Sequence, residues 1–218
     1  MMFLHKHPYK PFVPEGTTRL IVGTIPPPRF STGDLYNEDV DFCYGSKNGG
    51  LWPLLDQIFH LELEYRNTEK AVEQRKDFLK KHHIGICDIV ESCERRKFDA
   101  SDLGMKNIVL RDIFKVLKEN PSIETLLFMG GNSQNGPEFL FRKLIKGYKT
   151  ELIKISERTP RIHRFEFGNR FYTTVSLTSP SNAANRSVGA NPEYKKLKTA
   201  NPDYTVFQFR ADQYSIFF

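Results

Sequence analysis

The sequence predicts an α/β fold, a parallel sheet covered by helices on both faces. Three observations carry that expectation. Short apolar runs without alternation recur at RLIVG (19–23), IGICDIV (84–90) and SIETLLFMG (122–130), as expected of strands buried on both sides. Segments with helical periodicity separate them, which calls for crossover connections and parallel strands. With 218 residues, 39% of them hydrophobic, the chain is long enough to bury one sizeable core.

Taken in order, residues 1 to 17 read as an irregular lead-in, because Pro8, Pro11 and Pro14 interrupt any ladder. RLIVG is the first strand, ended by Gly23, and the proline-rich loop TIPPPRFSTGD follows. LWPLLDQIF (51–59) is a helix with Pro53 in its first turn. Residues 68 to 82 form the clearest amphipathic helix: Ala71, Val72, Arg75, Phe78 and Leu79 share a face, and Thr68 or Asn67 caps it. After the second strand, NIVLRDIFKVLKEN (107–120) is expected to be helical with Asn107 as cap and Pro121 beyond its end. The third strand leads to a helix capped by Asn135, with Pro137 near its start and Gly147 at its stop. Gly168-Asn169 in FEFGNRFYTTVSL is a two-residue hairpin signal, and its second arm runs into LTSPSNAANRS (177–187). No repeat, low-complexity stretch or long linker divides the chain, so residues 1 to 218 are expected to form one domain.

The formal net charge of +6 suits a polyanionic partner, or serves solubility alone. Cys43, Cys87 and Cys93 lack a CxxC pair and fit neither a disulfide framework nor a structural zinc site. The N-terminus lacks the apolar core of a signal peptide and no window approaches a membrane span, which makes the cytoplasm the expected compartment.

In such folds ligands bind beyond the carboxyl ends of the strands. Four loops therefore matter, those after Gly23, Asp88, Gly130 and Leu177. The first carries a stiff Pro26-Pro27-Pro28 wall, Tyr44, Asn48 and the acids Asp34, Glu38, Asp39 and Asp41. In the second, Asp88 either points into the crevice or caps a turn, and Arg95, Arg96 and Lys97 make a basic run. GGNSQNGPE supplies glycines that let backbone approach a ligand, but no lysine follows at Walker A spacing. LTSPSNAANRS presents short hydroxyls and amides around Pro180, the groups that hold nucleic-acid phosphates.

Together these segments resemble the uracil-DNA glycosylase superfamily, in particular its hypoxanthine-type and mismatch-specific branches. GTIPPP looks like the first motif, Gly-x-x-Pro, and LTSPSNAAN like the second, the loop that enters the duplex. FCYGSKNGGLWPLL is similar to the stretch that carries an aromatic residue, an Asn and then Phe-Trp. ICDIVESCERRKFDASD resembles Trp-Asp-Val-x-x-Ser-Cys-x-Arg, and NPDYTVFQFRADQYSIFF suits the aromatic C-terminus of the hypoxanthine-type branch. The likeness runs from about Phe12 to Phe218.

The resemblance implies a three-layer α/β/α sandwich around a four-stranded, mainly parallel sheet. It implies a monofunctional DNA glycosylase that flips a deaminated base, of the uracil or hypoxanthine class, and hydrolyses its N-glycosidic bond with water. DNA is the implied partner of a monomeric protein, with neither metal nor organic cofactor. Gly23, Thr24, Ile25, Pro26, Tyr44, Asp88 and Asn132 would line the base pocket. Tyr44 falls at the base-stacking offset before Trp52, or else belongs to the core; Asn132 reads the base edge or caps its loop. Ser179, Pro180, Ser181, Asn182, Asn185 and Arg186 would hold DNA. The catalytic candidates are Asn48 and Asp41, with Asp39 as a further acid, because Ile25 stands where many relatives place a polar residue before the motif-one proline. Asn48 lies four residues before Trp52 where the family has three, and Thr178 replaces the usual motif-two proline. A non-catalytic nucleic-acid or lesion-binding protein of the same fold is the alternative.

Overall fold

The computed structural model describes residues 2 to 218. Strand β1 (Phe3–Lys6) is followed by β2 (Arg19–Val22), α1 (Pro28–Thr32), α2 (Leu51–Phe59) and α3 (Glu69–Lys81). Then come β3 (Ile84–Ile86), β4 (Val90–Arg95), β5 (Lys106–Leu110), α4 (Ile113–Glu119), β6 (Thr125–Phe128) and α5 (Pro137–Leu144). The chain ends with β7 (Ile153–Ser156), β8 (Arg161–Phe167), β9 (Arg170–Ser176), α6 (Asn185–Ala190), α7 (Pro192–Ala200) and α8 (Val206–Tyr214).

The main sheet has the order β3-β2-β6-β9-β8-β7. Its first four strands are parallel, as the continuous apolar runs require, and β8 and β7 extend it antiparallel. The expectation of four strands is therefore corrected to six in a mixed sheet. The Gly168-Asn169 turn joins β8 to β9 with both residues at positive φ, 58° and 60°, the geometry of a type I′ hairpin.

Successive residues of the central strands point to opposite faces. Leu20, Val22, Leu126 and Phe128 meet Phe114, Leu117 and Phe141 from α4 and α5. Ile21, Leu127 and Val175 meet Trp52, Leu55, Phe78 and Tyr214 from α2, α3 and α8. Two covered faces make the three layers, and each fully buried large side chain contributes about 1.5–3 kcal/mol of transfer free energy. Thr68 caps α3 by accepting from the Ala71 amide. Among the described residues no helix is long and apolar enough to cross a membrane.

Three local expectations fail. The lead-in is not wholly irregular: Phe3–Lys6 pairs antiparallel with β4, and β5 completes a three-stranded sheet. Residues 107–120 are not one helix. Lys106–Leu110 is strand, since β-branched Ile108 and Val109 suit the ladder, and Asp112, not Asn107, caps α4 by accepting from the Lys115 amide. Asn135 caps nothing; Gly136 precedes α5, and the Asn135 amide donates to the carbonyls of Asp102 and Met105.

Candidate active site

All four strand-end loops meet in one cavity of 480 Å³, a size suited to a small ligand. The first loop contributes Thr24, Ile25, Pro26, Pro27, Tyr44 and Asn48. Asp88 and Asp102 come from the second, Met129 and Pro137 from the third, and Ser179, Pro180, Ser181 and Asn182 from the fourth. Most of the anticipated residues are thus brought together.

The walls are built by close backbone approach. A Cβ on Gly23 would collide with the Tyr44 hydroxyl and lie 2.6 Å from Asp88 Oδ1, so only glycine leaves room for both side chains. Gly50 packs so tightly against the Pro180 carbonyl that any Cβ would clash, which locks the first loop to the fourth. Tyr44 itself sits at φ 59°, a strained conformation for an aromatic residue. Burial, then the negative charge of Asp88, push its phenol well above the usual range, so Tyr44 is a neutral ring at any physiological pH.

Asp102 was not singled out from the sequence. It lines this cavity and accepts from the Thr24 hydroxyl at 3.0 Å. Burial raises its pKa to about 6, against the opposing Thr24 hydrogen bond and Arg95 charge. A carboxyl group that changes charge near neutrality is suited to accepting a proton from water. Arg95 fixes its approach: the guanidinium is buried, donating to His5 Nδ1 at 2.9 Å and to the Ser101 carbonyl at 2.7 Å. Arg95 is therefore internal scaffold, while Arg96 and Lys97 are exposed.

Several expected residues lie elsewhere. Asp41 does not line the cavity; it accepts the Tyr9 hydroxyl at 2.7 Å. Asp39 is fully buried and gripped by Arg29 in a two-pronged ion pair of 2.7 and 2.8 Å, with the Tyr36 and Lys47 amides completing its shell. Neither is placed to activate water. Asn132 belongs to an adjoining cavity of 590 Å³, which shares Asp102, Met129, Pro137 and Ser179 with the first. Asn185 is turned to Arg210, which donates to its Oδ1 at 2.8 Å. Arg186 is exposed beyond the cavity rim, and Asn48 is exposed at the rim itself.

The fourth loop is held from behind by α8. Arg210 donates to the Ser181 carbonyl at 3.0 Å, Gln213 accepts from the Thr178 amide at 2.7 Å, and the Tyr214 hydroxyl donates to the Thr178 carbonyl at 2.9 Å. Ser181 Oγ accepts from the Ala183 amide, and Ser179 Oγ from the Ser181 amide. In both serines the hydroxyl proton is left to donate outward.

This backbone has a known counterpart. The solution NMR structure of a "putative Uracil DNA glycosylase" from Methanosarcina acetivorans superimposes with a TM-score of 0.54, covering 95% of this chain and 98% of that one at 17% identity. The two chains share a fold. No family model and no curated protein matches the sequence. At that identity the likeness is one of fold alone.

Proposed function

We propose that the protein is a monofunctional DNA glycosylase that takes a deaminated base, of the uracil or hypoxanthine class, out of the helix and hydrolyses its N-glycosidic bond. The observation that carries this reading is that Tyr44 and Ser179, an aromatic ring and a hydroxyl from loops 135 residues apart, share one cavity at the carboxyl ends of the strands. The fold shared with the Methanosarcina acetivorans protein adds support.

On this reading the base enters against the neutral Tyr44 ring, beside the rigid Pro26-Pro27 wall. Stacking on an aromatic ring contributes about 1–3 kcal/mol, enough to offset much of the unstacking cost. Ser179 and Ser181 donate to flanking phosphates, and Arg186 adds long-range attraction. Asp102, once ionised, takes the proton of a water whose oxygen bonds to the sugar C1′. The C1′–N bond breaks, its electron pair leaves with the base nitrogen, and that nitrogen is then protonated from solvent. The negative Asp102 also steadies the cationic sugar. Asn48 orients the water or the sugar from the rim. Asp102 thus takes the part first sought in Asp41, and it makes good the missing polar group at Ile25, which is buried in the cavity wall.

The test presents labelled oligonucleotides carrying uracil, hypoxanthine or xanthine and counts alkali-labile abasic sites. Release of at least one of these bases is expected. Salt-dependent DNA binding without release of any of them would replace this reading with that of a lesion-binding protein.

A further inference from the structure

Taking a nucleotide out of a duplex costs the stacking it leaves behind, and the gap closes again unless something fills it. Filling it takes an exposed apolar side chain on a firm support beside the base cavity. The fourth loop does not carry one. After Ser181 it offers Asn182, Ala183, Ala184, Asn185 and Arg186, and the next larger apolar side chain, Val188, is 2% exposed.

The connection from β4 to β5 does carry one. Leu103 is 62% exposed, among the most exposed large apolar side chains of the described residues. It lies in a single short turn, Asp102–Gly104, next in sequence to the acid in the cavity wall. That turn is held from both ends. Arg95 donates to the Ser101 carbonyl at 2.7 Å, and the Asn135 amide donates to the carbonyls of Asp102 at 2.9 Å and Met105 at 3.4 Å. The Met105 side chain is anchored in the core. Within the turn, the Gly104 and Met105 amides donate to the Ser101 and Asp102 carbonyls. Arg95 and Asn135 are themselves buried, so two buried polar side chains are committed to one exposed turn. Placing Asp102 accounts for that support. It does not account for a leucine fixed in water, which forgoes its transfer free energy there.

The surroundings of Leu103 indicate what covers it. Ala100 and Asp102 line the cavity, whereas Ser101 and Leu103 line a neighbouring groove of 760 Å³. Arg96, Lys97 and Lys106 line the same groove and are exposed, and Asp99 in its wall lies 3.8 Å from Arg95. An apolar side chain among cations suits a partner with an anionic outside and an apolar stacked inside, which describes a nucleic-acid duplex. Phe98 is exposed too, but its ring rests on Phe3 with centroids 5.6 Å apart, so it serves the packing of the hairpin itself.

The geometry points to Leu103 as the wedge that enters the duplex and fills the place of the everted nucleotide, with Arg96, Lys97 and Lys106 holding phosphates around it. The resemblance to the glycosylase superfamily puts entry into the duplex on residues 177 to 187; in this chain the filling of the gap passes to the turn that carries Asp102. One turn thus directs an acid inward and a wedge outward. The inference rests on the flipped-base reading above and goes beyond it, because it makes double-stranded DNA the preferred form of substrate.

The test measures affinity for one non-hydrolysable 2′-fluoro nucleotide, carrying uracil or hypoxanthine, in a single strand, in a duplex, and in a duplex with a pyrene nucleotide opposite. Leu103→Ala should weaken binding of the ordinary lesion duplex about tenfold or more and leave single-strand affinity unchanged. Pyrene fills the gap from the other strand, so it should restore the variant's affinity, and Leu103→Met should keep most of it. Circular dichroism confirms that each variant is folded. Unchanged duplex affinity in Leu103→Ala, an equal loss on single strand and duplex, or no restoration by pyrene would each overturn the assignment. So would an intact protein that binds lesion and undamaged duplexes alike. The release assay reports separately: Leu103-dependent duplex binding without base release removes the enzyme reading and leaves the wedge, while release with duplex binding indifferent to Leu103 keeps the enzyme and removes the wedge.

Discussion

Buried and half-buried carboxylates in this molecule come in two kinds. Asp39 and Glu138 are saturated. Asp39 takes hydrogen bonds from both prongs of Arg29 and from two backbone amides, and Glu138 takes them from Arg142, Arg161 and Ser176. Burial pushes both pKa values up, but these donors outweigh it and hold them below the ordinary range. Asp88 and Asp102 each have one donor, His7 and Thr24, and each lines the cavity. The first kind ties loops down. The second leaves lone pairs without a protein donor in the wall of the cavity. Satisfaction of the carboxylate, rather than its burial, separates scaffold from site.

The largest expected effect is on Asp102→Asn. Base release in single turnover should fall about 10²–10⁴-fold, the usual contribution of a general base. The native protein should lose rate as pH falls through about 6, where the raised pKa of Asp102 lies. The sign of the linked stability is fixed by the same shift. A carboxyl whose folded pKa exceeds its unfolded value of 3.8 favours the fold at low pH, and that contribution is lost as pH rises through about 6. At pH 7.5 Asp102→Asn should therefore melt no earlier than the native protein. A variant that melts early yet keeps its rate would erase the distinction between the two kinds.

Next comes Asp39→Ala, which strands Arg29 in a partly buried position. Denaturant titration should show a loss of about 3–5 kcal/mol. The depressed pKa of Asp39 means that its contribution is present above the unfolded value and disappears as pH falls through the folded one. An Asp39→Ala protein as stable as the native one would show that saturation is incidental. Tyr44→Ala should weaken lesion binding by about 1–3 kcal/mol in a fluorescence titration, and unaltered affinity would remove the stacking ring from the site. Smallest is Arg186→Ala, expected to lower DNA affinity equally for damaged and undamaged strands and to reduce the salt slope by about 1.

The framework was legible in the sequence because its signals are local. Unbroken apolar runs gave the parallel strands, a 3.6-residue stripe gave α3, and Gly168-Asn169 gave the hairpin. The loops of the cavity followed from strand direction alone. What was illegible depends on partners far away in the chain. Asp102 sits in DASD, which carries no pattern, and becomes notable only beside Thr24, 78 residues earlier. His7 reaches Asp88 across 81 residues. Residues 107–110 misled because NIVLRDIF has apolar spacing that fits a helix, while pairing with β4 decides for strand. The four residues of β1 are too few to show alternation among the prolines that follow. Asp41 and Asn185 have the residue type and loop position of site residues, but each is taken by a partner 32 or 25 residues away, Tyr9 or Arg210.

The grip of α8 on residues 178 to 181 has a consequence for how the protein comes into being. On the ribosome the sheet and its Ser-Pro-Ser turn emerge before the helix that shapes that turn. A nascent chain therefore has its scaffold before Arg210, Gln213 and Tyr214 exist to shape the rim.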